Sequence, residues 1–554
     1  MSQFVSNTDL FVHNILQFDT NNINVEYVPI SIPEAKFGIL NLKAVSTHHI
    51  NEDDNDIIFM VDCSGSMSDE CSDGENKMHH ILHTIKNIIL YFKEKQSIKV
   101  HITIDAFDNT VYRILDRSCV NEHNYASIIE KINTISPRYS TDIQLALNSV
   151  KNTSQIIKND FPNNNIVVIF MTDGKVTSGS SEHSILSKNI DRSITNAFIG
   201  FGIEHDANLL NALSNGENSA YYFIDKLENS GLVYGEILHG IIYKILKDVK
   251  ISIKNGLIYD FKNNIWVEML YIGDICSEAN KIYHIASSNP DNCIVTLSAN
   301  RILCSHENTR NVNINISKIK EYADHTKYIY RQRTLQHLYI ASDYIKRKNI
   351  TDNIYKDELN RYYYDYEYNS QLLKDESIIK KNLRKFIREM KNYIKENNNE
   401  DDKFMLNLCD DICICYKTIG TKFNAMYTYS RHSSQGTQRY YTVTSIPEST
   451  QELYPNTKLS KIQPPILTRQ TNQISNNQIR VNVPIFDFET IQKYNDECDP
   501  HWYNNTENLF DDDLQHIVAD CGDTPYLTPT ATQIMRDISS GTNRCDIFSQ
   551  DNEG

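Results

Sequence analysis

Asp56-Ile57-Ile58-Phe59-Met60-Val61 runs directly into Asp62-Cys63-Ser64-Gly65-Ser66. The apolar run is short, as in a strand buried on both faces, and such strands belong to parallel sheets covered by helices. The turn after it sets a carboxylate and two hydroxyls at alternate positions, with Gly65 permitting the tight path between the serines. Met78, Ile81, Leu82, Ile85, Ile88, Ile89 and Phe92 then recur at helical spacing. Residues 98–107 return to strand character, and Ile143, Ala146, Leu147 and Val150 mark another helix face. NIVVIFM (165–171) is the most apolar strand. Residues 193–202 and 219–224 read as strands with a helix near 206–214, and a last helix covers about 232–249. Repeated strand–helix units predict an α/β unit over 54–249, a doubly wound and mostly parallel sheet with helices on both faces.

The flanks differ. Residues 23–53 and 250–318 alternate in short β-like runs such as ISIKNGLIYDF, IWVEMLYIG and CIVTLSA. They are read as two parts of one antiparallel β-sandwich into which the α/β unit is inserted. Residues 1–22 read as an N-terminal extension. Residues 319–427 turn helical, with one stripe of Leu335, Leu338, Tyr339 and Ile345 and a longer one from Ile379 to Ile394. Residues 428–482 are rich in Ser, Thr, Gln, Asn and Pro and read as a disordered linker, because so little apolar content cannot offset chain entropy. The tail, 483–554, regains apolar anchors: Phe486, Phe488, Trp502, Tyr503, Leu509, Phe510 and Ile534.

Charge and composition exclude several classes. The net charge of −16, from 55 basic against 71 acidic residues, argues against nucleic acid as a general partner. The N-terminus lacks the pattern of a secretory signal, and no stretch approaches the ~18 apolar residues of a spanning helix, so a cytoplasmic protein is expected. The 12 scattered cysteines fit reduced thiols. Abundant Asn, Ile, Lys, Asp and Tyr suggest an AT-rich genome, such as that of a protist or a large DNA virus, and leave a virion location open.

Asp62, Ser64 and Ser66 sit at the carboxyl end of a strand, where open α/β folds bind ligands. Thr141 follows Pro137-Arg138-Tyr139-Ser140 and opens a helix, and Asp173 follows the central strand in Met171-Thr172-Asp173-Gly174. Both therefore fall on the same rim of the sheet. Hard oxygen donors of this kind select Mg²⁺ or Mn²⁺.

This set resembles the metal-ion-dependent adhesion site of von Willebrand factor type A domains. The resemblance implies that Ser64, Ser66 and Thr141 bind the ion directly, that Asp62 and Asp173 act through water, and that a partner Asp or Glu completes the octahedron. Tyr139-Ser140 departs from the small residues that often precede the loop Thr and would narrow the approach. The run IGFGIEHDANLLNAL followed by YYFI is similar to intracellular type A domains of plant RING-type ubiquitin ligases. The Cys/His spacing of a RING is missing, so ligase activity does not carry over.

Other signals read as structural. His79 and His83 lack the Glu of HExxH and face solvent, while Cys409, Cys413 and Cys415 continue an apolar helix face. Gly200-Phe201-Gly202 lacks the third glycine of a dinucleotide fingerprint, and no phosphate loop is present. Asp69, Glu70, Asp73 and Glu75 read as a solvated helix start, and Asp511-Asp512-Asp513 as a solvated turn. Ser64 or Ser66 as a nucleophile would need a histidine base that no feature supplies. The expected function is non-enzymatic: metal-dependent protein binding within an intracellular assembly. The alternatives are a substrate-recruiting or accessory subunit of a ubiquitin-ligase or ATPase complex, and a structural component of a viral particle.

Overall fold

β1 (Phe11–Phe18) and β2 (Lys36–Ala44) pair antiparallel, and β2 then pairs with a strand that lies far along the chain. The computed structural model describes residues 11–19, 35–45, 54–70, 74–202, 205–216, 218–224, 230–301, 310–316, 323–354, 364–398, 401–421, 423–439, 526 and 528–539.

The α/β unit comes next. β3 (Asn55–Asp62) is buried along its whole length, as its unbroken apolar run requires. After it come α1 (Lys77–Glu94), β4 (Val100–Phe107), β5 (Val111–Cys119), α2 (Tyr125–Ile132), α3 (Ile143–Asp160) and β6 (Asn165–Thr172). The short α4 (His183–Leu186), β7 (Thr195–Phe201), α5 (Ala207–Leu213), β8 (Ser219–Ile224) and α6 (Ser230–Ile242) complete it. The sheet order is β5-β4-β3-β6-β7-β8, and only the β4–β5 pair is antiparallel. Side-chain caps fix the helix starts: Asn76 accepts from the His79 N–H, Asp142 from Leu145 and Asp206 from Leu209.

β9 (Lys244–Lys254), β10 (Leu257–Asp260), β11 (Ile265–Val267), β12 (Met269–Cys276), β13 (Asn280–Ser287), β14 (Ile294–Arg301) and β15 (Arg310–Ile316) build two further sheets. One runs β1-β2-β13-β10-β11 and the other β12-β9-β14-β15. Leu16, Phe18, Leu40 and Leu42 from the first meet Val249, Ile251, Val295 and Leu297 from the second in one apolar core. β2 and β13 are in continuous register from Lys43 opposite Asn280 to Lys36 opposite Ser287. The α/β unit is thus inserted in a β-sandwich.

Four helices follow: α7 (Thr326–Ile354), α8 (Tyr364–Glu396), α9 (Lys403–Thr418) and α10 (Asn424–Thr437). The last, α11 (Pro529–Ser539), docks on the α/β unit, with Ile534 and Ile538 in the same core cluster as Val233, Ile237 and Ile241 of α6. Among the described residues no helix is long and apolar enough to cross a membrane.

Three elements depart from the sequence reading. β1 lies within the expected extension 1–22. Its polar His13, Asn14 and Gln17 obscure an alternation that buries Leu16 and Phe18. The expected helix 232–249 stops at Ile242, and Lys244–Lys254 is a strand. KILKDVKISIK suits either period, and pairing with β12 and β14 decides it. The linker expected from 428 begins inside α10. That helix is buried despite its polar sequence, because Arg431 and Gln435 both donate to the buried Asp411 carboxylate, at 3.2 and 2.6 Å. The rest of the linker and, apart from Ile534, the tail anchors lie outside the described residues, as does Asp511-Asp512-Asp513.

A chain starting at residue 52 lacks β1 and β2, which bares the edge of β13 and half the sandwich core. It is expected to aggregate in size-exclusion chromatography, and melting as high as the full chain would remove the energetic basis of the insertion. Arg431→Met deprives Asp411 of its buried cation and is expected to lower stability by about 3 kcal/mol in urea titration.

Candidate metal centre

Asp62 is the last residue of β3 and is fully buried. Its Oδ1 accepts the Ser64 backbone N–H at 2.8 Å, and its Oδ2 accepts the Thr172 hydroxyl at 2.5 Å. Met67 is buried in the core and pins the turn that presents Ser64 and Ser66. The Gly65 N–H donates to the Tyr139 carbonyl at 3.0 Å, and the Arg138 N–H to the Cys63 carbonyl at 2.7 Å. These two bonds draw the loop before α3 against the turn and so deliver Thr141. The Thr141 N–H donates to Thr177 Oγ1 at 2.7 Å, which fixes it from the other side.

Asp173 follows β6 directly. Ser66 Oγ donates to its Oδ1 at 2.8 Å, and Ser64 and Ser66 Oγ stand 3.2 Å apart. Gly174 reports the convergence. A Cβ there would lie 3.2 Å from Thr141 Oγ1, 3.6 Å from Ser66 Oγ and 3.8 Å from Asp62 Oδ2. The structure therefore brings together all five residues singled out from the sequence. Asp62, Ser64, Thr141 and Asp173 are buried, and Ser66 is half-buried.

Two participants were not legible beforehand. Thr172 holds Asp62 from β6, and the quoted Met171-Thr172-Asp173-Gly174 already contained it. Lys77, the first residue of α1, donates to Asp173 Oδ2 at 2.6 Å and to Asp69 Oδ2 at 3.0 Å. Burial alone would lower its pKa, but Asp173 and Asp69 outweigh that and hold the ammonium charged. Asp69 is thus an ion-pair partner as well as a solvated residue, while Asp73 lies outside the described residues. Tyr139 stands at the rim with 76% of its surface exposed.

The donor set fits a hard cation. Burial pushes the Asp62 carboxyl up to about 6; its bonds from Thr172 and Ser64 oppose that shift and the nearby Asp173 adds to it. A buried carboxylate so disfavoured beside three hydroxyls is a place where positive charge is stabilised. Among the described residues no group of three or more His, Cys, Asp or Glu is placed to hold a metal.

Residues 56–234 match the family model described as the von Willebrand factor type A domain. This segment is a von Willebrand factor type A domain. No curated protein matches the sequence. Solved structures similar to the chain include a von Willebrand factor type A protein from Catenulispora acidiphila, at 15% identity over 62% of this chain and 82% of that one, TM-score 0.41. The ArnB paralog VWA2 from Sulfolobus acidocaldarius is 12% identical over 76% and 97%, TM-score 0.44. Proximal thread matrix protein 1 from the mussel byssus, with a zinc-occupied MIDAS motif, is 19% identical over 33% and 46%, TM-score 0.26.

The run GFGIEHD of the type A domain is a brace. The His205 ring packs on Gly200, where any Cβ would collide with it. Its Nδ1 and Nε2 lie 2.6 Å from the Gly202 carbonyl and the Tyr221 hydroxyl, and burial lowers its pKa to about 4.

Asp62 carries a pH signature. Its pKa in the metal-free fold lies above the ordinary 3.8, so the folded state holds an extra proton between about pH 4 and 6. Stability of the metal-free protein is expected to fall as pH rises through that window, by about 3 kcal/mol in all. Asp62→Asn, with the Thr172 hydroxyl turned to accept, is expected to flatten that slope and raise the metal-free melting point at pH 7.5. Urea titrations at pH 5 and 7.5 check this, and an unchanged slope would count against the buried charge.

Proposed function

We propose that the type A domain is a divalent-metal-dependent protein-binding module of an intracellular assembly. Its MIDAS-type centre would be formed by Asp62, Ser64, Ser66, Thr141 and Asp173 with Mg²⁺ or Mn²⁺. The observation that carries this reading is the convergence of these oxygens on the space before Gly174, at the free carboxyl edge of β3 and β6. Ser64, Ser66 and Thr141 would hold the ion, and Asp62 and Asp173 would orient water around it. Because the holding groups are neutral, the ion would keep its positive charge and an open position for a partner Asp or Glu. Lys77 would stay on the outer oxygen of Asp173 and steady that carboxylate. Tyr139, exposed at the rim, offers a flat apolar contact beside the incoming carboxylate. The Ser64 and Ser66 hydroxyls engage each other and Asp173 rather than an imidazole, which favours binding over nucleophilic catalysis.

With Mg²⁺ at 10- to 100-fold above its dissociation constant, linkage is expected to stabilise the protein by about 1.4–2.7 kcal/mol. Ser64→Ala with Ser66→Ala should abolish both that gain and the EDTA-sensitive capture of partners, while circular dichroism stays unchanged. Tyr139→Ala should keep the Mg²⁺ effect and weaken capture. A melting point indifferent to millimolar Mg²⁺ would sink the metal site. Capture that persists in EDTA would sink the binding mechanism.

A further inference from the structure

We propose that a cavity at the junction of the type A domain, the sandwich and the helical region binds a small anion carrying phosphoryl or carboxylate groups. The cavity measures about 330 Å³, within the range of small-ligand sites, and domain junctions are a common place for them. The starts of β7 and β8, the flank of α6, strands β12 and β13, α7 and the end of α10 wall it.

Its charge is unbalanced. Lys244, Lys262, Lys281, Arg331 and Arg439 line it against Glu236, Asp260 and Asp274, an excess of two positive charges. Lys244 is paired with Asp274 at 2.6 Å, and the Lys262 ammonium donates to the Gly216 carbonyl at 2.8 Å. Lys281, Arg331 and Arg439 are left against Glu236. The lining histidines stay neutral and do not change that excess, because burial lowers His239 to about 4 and His284 well below its ordinary value.

The hydrogen bonding is unfinished in the same place. Arg331 and Arg439 are both more than nine-tenths buried. Arg331 donates to the Ile282 and Gln435 carbonyls and stands 3.3 Å from His284 Nε2, and Arg439 donates to the Tyr221 carbonyl and Ser433 Oγ with its guanidinium 4.0 Å over the Tyr222 ring. The Nε atom of each is buried with no hydrogen-bond partner among the described residues. A buried guanidinium with an unmet N–H is costly, and the planar fork is the group best matched to a carboxylate or phosphate. Lys281 Nζ donates to the Thr437 and Gln438 carbonyls, which leaves its third proton uncommitted by those bonds. Burial lowers its pKa to about 8, and the pull of Glu236 and the push of Arg439 and Arg331 show that these groups share one field.

Gly240 on α6 supplies the remaining observation. It lines the cavity, and a Cβ there would meet no atom within 4 Å. Gly240 lies in the last turn of α6, and its missing side chain leaves that part of the cavity open.

The test titrates the full chain in EDTA with inorganic phosphate and, separately, with malonate, so that no ion at Asp62 can recruit the anion. Calorimetry is expected to show saturable binding of at least one probe. Phosphate alone assigns a phosphoryl ligand, and malonate alone a dicarboxylate. Arg439→Gln removes a charge, whereas Gly240→Leu fills the space and leaves every hydrogen bond named above in place. Each is expected to weaken binding at least ten-fold, with Ser64→Ala unchanged and thermal melts confirming the fold. Absence of saturable binding by both probes, or unaltered affinity in the folded Gly240→Leu protein, would overturn the proposal.

Discussion

The pairing of β2 with β13 constrains everything else. β2 precedes the type A domain and β13 follows it, so the chain must leave and re-enter the sandwich at one place. Lys244 seals that place. Its buried Nζ reaches Asn165 Oδ1 at the start of β6 and Asp274 of β12, and the Asn165 amide in turn donates to Asn55 Oδ1 at the start of β3. The sandwich therefore grips the amino ends of the two central strands. Asp62 ends β3 and Asp173 follows β6, at the opposite ends of those strands. The insertion holds the domain at the end away from the five oxygen donors.

The same edge opposes stability to function. Asp62 is buried where its charge is disfavoured, and two hydrogen bonds hold it in one orientation. Asp173 is compensated by Lys77, so the chain supplies one cation of its own against two buried carboxylates. Such an arrangement of buried carboxylates is costly to the fold, as groups shaped for something other than stability are.

Much of this was legible in the residues. The buried strand 56–61, the helical stripe from Met78 to Phe92 and NIVVIFM each had one period and one reading. The five oxygen donors were legible because each stood beside a strand end or helix start. Lys77 was not, since a lysine opening a helix looks like solvent-facing charge until the fold brings Asp173 to it from the far strand. α10 was not, because Ser, Thr, Gln and Arg normally mark unfolded chain. Here a buried carboxylate, Asp411, supplies the partner that composition alone does not reveal. β9 was ambiguous because its sequence satisfies both periods, and neighbouring strands made the choice.

The docking of α11 has a topological consequence. Thr530 donates from both backbone and side chain to the Glu278 carboxylate in the sandwich, and the Tyr526 hydroxyl donates to Gln435 of α10. At the other end Arg439 is fastened to Tyr221. Arg439 and Tyr526, far apart in the chain, are therefore fastened to the same body. α11 is held by its own contacts, Ile534 and Ile538 in the core and Thr530 on Glu278, so a chain cut between residues 439 and 526 would keep it in place without a covalent link.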